Sequence, residues 1–189
     1  MLNKRSSLEI SIQAIVIVVL AMTLLGLGLG FIKGMFGKIS GLSDSAFAQI
    51  EDQLQRDLVN SNEKLVFSQT KIAIERGKSA LLGWGIKNEG NTKLDYWAEF
   101  TAIKCPNDPT CSSLPLDTLN TQWFTYKYNP GGLTVDRLYS VDAADNQVVK
   151  VDLSVPKNAA TGLYLIDLSV PDSATNEKYS STDVFITIT

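Results

Sequence analysis

From Ile10 to Ile32 the chain runs 23 residues without a charged side chain, directly after the basic pair Lys4-Arg5. As a helix rising ~1.5 Å per residue, such a run is about 35 Å long and crosses a bilayer core of roughly 30 Å with some tilt. A cleaved secretory signal has a shorter apolar core, roughly 7 to 15 residues, that ends at a small-residue cleavage site. Here the run passes instead into Gly30-Phe31-Ile32-Lys33-Gly34-Met35-Phe36-Gly37. The pattern predicts a basic leader over residues 1–9 and a retained transmembrane helix over residues 10–36. The rest of the chain amounts to one domain, long enough to bury a core of its own.

Charge is divided unevenly. Residues 1–42 carry Lys4, Arg5, Lys33 and Lys38 against Glu9, a net of +3, which leaves −6 on the remainder of a chain whose formal charge is −3. An acidic soluble part lacks the clustered Lys and Arg that phosphates require, so nucleic acid is excluded as a partner. Basic ends on the apolar run suit anionic headgroups, which makes the membrane the first partner. The leading cluster and the short leader place the N-terminus in the cytoplasm and the C-terminal part outside.

The chain contains no histidine. That removes the usual general base, the commonest metal ligand and every Ser-His-Asp or Cys-His site, and the expectation is a non-enzyme without cofactor or metal. Cys105 and Cys111 bracket Pro106-Asn107-Asp108-Pro109-Thr110. Two thiols without histidine make no structural zinc site, and the spacing is not Cys-x-x-Cys. Two prolines within the interval bend the loop back, so the reading is a structural disulfide and an oxidising compartment. Two unrelated reduced cysteines are the alternative.

Gly26, Gly30 and Gly34 recur every four residues, with Gly28 beside them. On a helix they strip one face of side chains and admit a second backbone, which predicts a homo-oligomer formed through the apolar helix. Gly34, Gly37 and Gly41 then suggest a flexible juncture. After it Ser43 or Asp44 caps an amphipathic helix, residues 43–61, whose stripe is Phe47, Ile50, Leu54 and Leu58. That stripe fits the domain behind it, a sister helix or the headgroup surface; its acidic polar face argues against lipid.

From residue 64 the texture is short β-branched and aromatic runs between turn signals, which predicts an all-β antiparallel sandwich over residues 64–189. Expected strands are 64–67, 71–75, 80–87, 93–103, 122–128, 135–141, 148–155, 163–170 and 183–188. Alternation is clean in Val149, Val151, Leu153 and Val155, so that strand has one buried and one wet face.

The run Gly85-Ile86-Lys87-Asn88-Glu89-Gly90-Asn91 before Leu94-Asp95-Tyr96 resembles an early strand pair of CARDB-like and related Ig-like modules. Val151-Asp152-Leu153-Ser154-Val155-Pro156 and Ala160-Thr161-Gly162-Leu163-Tyr164 are similar to the ending of such modules. The resemblance implies an Ig-like sandwich with a structural or adhesive role and no defined ligand, partnering envelope proteins or glycans. The N-terminus carries a second resemblance. A basic leader, a carboxylate heading a long apolar helix and a β-sandwich behind it look like archaeal type IV pilins and archaellins. That family implies a filament subunit, a leader cut near Ser6 or Ser7, where the family usually has glycine, and Glu9 as the early carboxylate.

Two further clusters have competing readings. Asp142, Asp145 and Asn146 are oxygen-rich enough to hold Ca²⁺, or form a plain Asx turn. Trp84, Trp97 and Trp123 form either a glycan-stacking surface or part of the core. Together these readings give a membrane-anchored, extracytoplasmic sandwich that self-associates through its helix, with a filament subunit as the alternative and a carbohydrate- or ligand-binding module as a third.

Overall fold

The computed structural model describes the backbone of residues 4–132 and 134–189, and the side chains of residues 13–30, 45–129, 131–132 and 134–189. It divides into two compact units, Met1–Ser45 and Ala46–Thr189. The first helix, α1, spans Lys4–Asn60. The break expected between the apolar and amphipathic segments is therefore replaced by continuous helix through Gly34, Gly37 and Gly41. Glycine in a helix interior costs about 1 kcal/mol relative to alanine but introduces no clash, and no proline occurs before Pro106 to force a break. The helix ends where the Ser61 amide donates to Asp57 O, at 2.9 Å.

In the first unit, Gln13–Gly30 is long and apolar enough to cross a membrane or to serve as a signal sequence, with a mean hydropathy of 2.3 and no residue buried. The Thr23 hydroxyl, a polar group inside this apolar stretch, donates to Leu20 O at 2.8 Å, so it is satisfied within its own helix.

The second unit is a β-sandwich with a helical cover. Its strands are β1 (Leu65–Phe67), β2 (Lys71–Ile74), β3 (Ser79–Lys87), β4 (Leu94–Tyr96), β5 (Glu99–Lys104), β6 (Phe124–Thr125), β7 (Tyr139–Val141), β8 (Asn146–Ser154), β9 (Gly162–Pro171) and β10 (Lys178–Ile188). The first sheet has the order β1-β3-β8-β6, the second β2-β10-β9-β5, and β4 pairs with β7 as a small third sheet. Alternation decides which side chains go inward. Leu82, Trp84 and Ile86 of β3 and Val149, Val151 and Leu153 of β8 meet Phe100, Ile166, Leu168, Val184 and Ile186 from the second sheet. Phe100 stacks on Phe124 at 3.8 Å between ring centres, and Trp84 meets Phe100, Tyr126 and Tyr139 edge-on.

The outward side of β3 explains the helix. Gly83 and Gly85 alternate with the inward Leu82, Trp84 and Ile86, leaving a side-chain-free strip on the outer face. Into it settle Ile50, Leu54 and Leu58 of α1; Leu54 and Leu58 are fully buried. A Cβ at position 85 would lie 2.6 Å from Leu58 Cδ1, so glycine is what lets the helix sit this close. Of the three surfaces open to the amphipathic stripe, the domain's own sheet takes it.

Four expectations need correction. The sandwich is not wholly antiparallel: β2 runs parallel to β10, with Ile72 opposite Ile186 and Ile74 opposite Ile188. The chain leaves the first sheet after β1 and enters the second in the direction β10 already takes. The long strand expected over 93–103 is two strands, because successive Trp97 and Ala98 are both buried and cannot alternate across a single sheet. The strand expected over 122–128 shrinks to β6, since a short helix (α2, Leu116–Thr118) and a π-type turn (Leu119–Trp123) occupy its approach. The strand expected over 135–141 keeps only β7. Upstream, the Asn129 side chain donates to Thr134 O and accepts from Thr134 N, giving that backbone a partner other than a strand.

Candidate functional site

The apolar helix is the largest uncovered hydrophobic surface. Ile15, Val16, Ile17, Leu24, Leu25, Leu27 and Leu29 are all exposed at half their area or more. Around Gly26, Gly28 and Gly30 a built Cβ meets nothing within 4 Å, so this part of the helix is open to a second backbone. Gly34, Glu9, Ser6 and Ser7 lie on the helical backbone, and their side chains fall outside the described residues.

Cys105 and Cys111 are joined as a disulfide with a Cα–Cα distance of 5.3 Å. Both are nearly buried, and Asp108 shapes the ring between them. Its carboxylate accepts from the Thr110 amide and hydroxyl, the Ser112 hydroxyl and the Ser113 amide, at 2.8 to 3.2 Å. Those donors, the Ser113 amide first, hold the Asp108 carboxyl well below the usual carboxylate range. The prolines alone do not close the ring. The Asp-x-Thr and Asp-Pro-Thr-Cys-Ser-Ser patterns were the signal for this Asx-type turn.

The tryptophans are core. Trp84, Trp97 and Trp123 are 0, 6 and 4 % exposed, so no three-tryptophan stacking surface exists. Trp123 packs on Tyr164 beneath a shallow hollow of about 260 Å³ rimmed by Ser113, Thr118, Gln122 and Asn158. Asp142, Asp145 and Asn146 form a turn closed within itself. The Asp145 amide donates to Asp142 O, and Asp145 Oδ1 accepts from the Asn146 amide. Among the described residues no cluster of three metal-ligating side chains occurs.

Two buried amides were missed by sequence reasoning. Asn88, in the Asn-Glu-Gly-Asn turn, donates through Nδ2 to Thr92 O, Val141 O and Asp142 O and accepts at Oδ1 from Gly90 N. It pins the β3–β4 turn to the start of the β7–β8 turn. Asn120, on the π-type turn, accepts from Phe100 N at 2.7 Å and donates to Phe100 O and Leu116 O, both at 2.8 Å. The Tyr126 hydroxyl also donates to its Oδ1. Nearby, burial raises the Glu99 carboxyl, with Asp117 adding to the shift, and Tyr128 donates to Asp117 at 3.4 Å. Each of these groups serves backbone or packing, and none faces a cleft with a nucleophile.

A third surface is the outer face of the second sheet. Register places Lys71 opposite Phe185, Phe185 opposite Leu165 and Leu165 opposite Lys104, so one row crosses all four strands with a lysine at each end. Phe185, Leu163 and Ile103 are 36, 45 and 52 % exposed. A register shift between Ala102 and Lys104 turns Ile103 outward beside Lys104.

No protein-family profile and no curated protein matches this chain. Similar solved structures include a family 123 glycoside hydrolase from Clostridium perfringens, 8 % identical over 72 % of this chain, with a TM-score of 0.43. The chain spans a quarter of that hydrolase's length. A Niemann-Pick type C2 protein from Japanese carpenter ant is 12 % identical over 67 % of this chain and 90 % of its own, with a TM-score of 0.40. The E. coli chaperone DraB is 10 % identical over 66 % of this chain and 53 % of its own, with a TM-score of 0.35.

Proposed function

We propose that this chain is a non-enzymatic, membrane-tethered sandwich protein of the cell envelope. In this reading its Ig-like domain lies outside the membrane in a structural or adhesive role, and the molecule self-associates through the N-terminal helix. The observation that supports it best is the uncovered apolar helix of Gln13–Gly30 with open space at Gly26, Gly28 and Gly30. The histidine-free sequence and the disulfide-bonded pair agree with an exported, non-catalytic domain. Replacing Gly30 with Leu fills the close-approach face, and the expected result is weaker self-association in a membrane dimerisation assay. Unchanged association overturns the glycine-face reading. Orientation has its own measurement: alkylation of native protein under non-reducing conditions leaves both cysteines unlabelled if the domain is exported, and two labelled thiols reject it.

A second reading, a pilin- or archaellin-like filament subunit, is favoured by one observation, the unbroken helix of Lys4–Asn60 whose final turns cover the sandwich. In that case the leader is removed near Ser6 or Ser7, and Glu9 pairs with a neighbour's new N-terminal amine within the helix bundle. N-terminal sequencing of native protein decides: a start between Ser6 and Leu8 supports the filament, and a start at Met1 rejects it.

A further inference from the structure

The second sheet's outer face and the helical cover lie on opposite sides of the sandwich, because the cover rests on the first sheet. Their chemistry is complementary. On the sheet side, exposed Phe185, Leu163 and Ile103, with half-buried Leu165, form an apolar patch between Lys71 and Lys104. Neither lysine has an ion-pair partner among the described residues. One row away, Asp167 is already matched by Lys178 Nζ at 3.3 Å, and exposed Asp183 marks the edge of the basic-rimmed area. On the helix side, Glu51, Asp52 and Asp57 outweigh Arg56, again without ion pairs among the described residues, and Val59 stands 71 % exposed among them.

We propose that the outer face of the second sheet docks on the acidic outer side of helix residues 46–60 in a second copy of this chain. Exposed apolar residues grouped on one face mark interaction sites in soluble domains. The charges select the occupant, since the lysines at either end of the row find acidic partners on the helix of the next copy. The same face does not pair with itself well, because that juxtaposes the lysines. The contact joins two different surfaces, so it repeats head to tail and propagates instead of closing as a twofold dimer. The inference rests on the self-association reading and names the surfaces by which the exported domains would meet.

The test uses two full-length variants, Gln55→Cys and Thr187→Cys, reconstituted together in lipid vesicles and oxidised, with the buried native disulfide left intact. The expected product is a mixed 55–187 dimer in excess over 55–55 and 187–187 dimers. Reversing both lysines, Lys71→Glu with Lys104→Glu, is expected to lower that product about fivefold, as two surface ion pairs predict. Adding Glu51→Lys with Asp52→Lys to the other partner is expected to restore it. A dominant 187–187 product overturns the proposal in favour of face-to-face pairing. Absence of mixed product also overturns it, and so does insensitivity to the charge swap. Shielding of position 187 from a water-soluble thiol reagent by vesicles alone, without cross-linking, assigns the face to lipid instead. The Gly30→Leu dimerisation assay is independent of all these outcomes, so failure of the docking surface is distinguishable from failure of self-association.

Discussion

Single side chains fix the loops of this domain. Asp108 carries a ring that its two prolines do not define, and its effect has a predictable pH signature. Because its native carboxyl is held below the ordinary value near 3.9, the stabilisation is complete above that value and fades as pH falls toward the native one. Thermal midpoints of the native protein and Asp108→Ala are therefore expected to differ at pH 7 and to converge as the solution is acidified below pH ~4. A constant difference across that range rejects the assignment. Asn120 acts in the interior. Replacing it with Leu leaves Phe100 N and O and Leu116 O without their partner, and unsatisfied buried groups cost roughly 1 to 3 kcal/mol each. Urea unfolding of Asn120→Leu is expected to show a loss of about 3 kcal/mol. Neither residue stood out in the sequence. An Asn or Asp in a turn-rich stretch has many solvated fates, and burial is decided by strands far away in the chain.

At the level of elements, hydrophobic period located most of the sheet, and it failed where a residue faced two surfaces. The runs that became β3, β8, β9 and β10 alternate cleanly over nine or more residues, and that alternation was legible. Trp97-Ala98 broke the long central run because both are buried, a decision made by Pro171 and Gly132 rather than by local sequence. The Trp97 amide donates to Pro171 O, and the Trp97 ring lies within 2.5 Å of where a Cβ on Gly132 would stand. The amphipathic stripe of α1 was readable; its partner was encoded in Gly83-Trp84-Gly85, where glycines on alternate positions empty one face of a strand. That pairing makes a coupling prediction. Leu58→Ala alone is expected to cost about 2 to 4 kcal/mol as a buried leucine. Gly85→Val alone is expected to cost about 2 kcal/mol through overpacking. Together they are expected to cost clearly less than their sum, because the smaller residue at 58 makes room for the larger at 85. Strict additivity in denaturant unfolding denies that the two positions touch.

For the molecule as a whole, the sequence announced an apolar helix and a sandwich, and both are present. It did not announce that the helix runs unbroken from Lys4 to Asn60, since three glycines in eight residues read as a hinge while their cost in a helix is only about 1 kcal/mol apiece. Nor did it announce the basic-rimmed face of the second sheet, which exists only once register aligns Lys71, Phe185, Leu165 and Lys104 from four separated segments. Surfaces of this kind are properties of pairing, and no window of sequence contains them.

The position of β10 in its sheet sets the order in which the domain can be finished. It is the last strand in the chain, yet it lies between β2 and β9, so the second sheet has no continuous middle until residues 178–188 arrive. β2 has no other partner in its sheet, and the pairing joins positions more than a hundred residues apart, which makes closure slow. A chain emerging N-terminus first therefore stays incomplete until nearly all of it has been delivered. Ribosomal and translocation machinery would handle an open, unfolded polypeptide for almost the whole transit, with the sandwich snapping shut only on the far side.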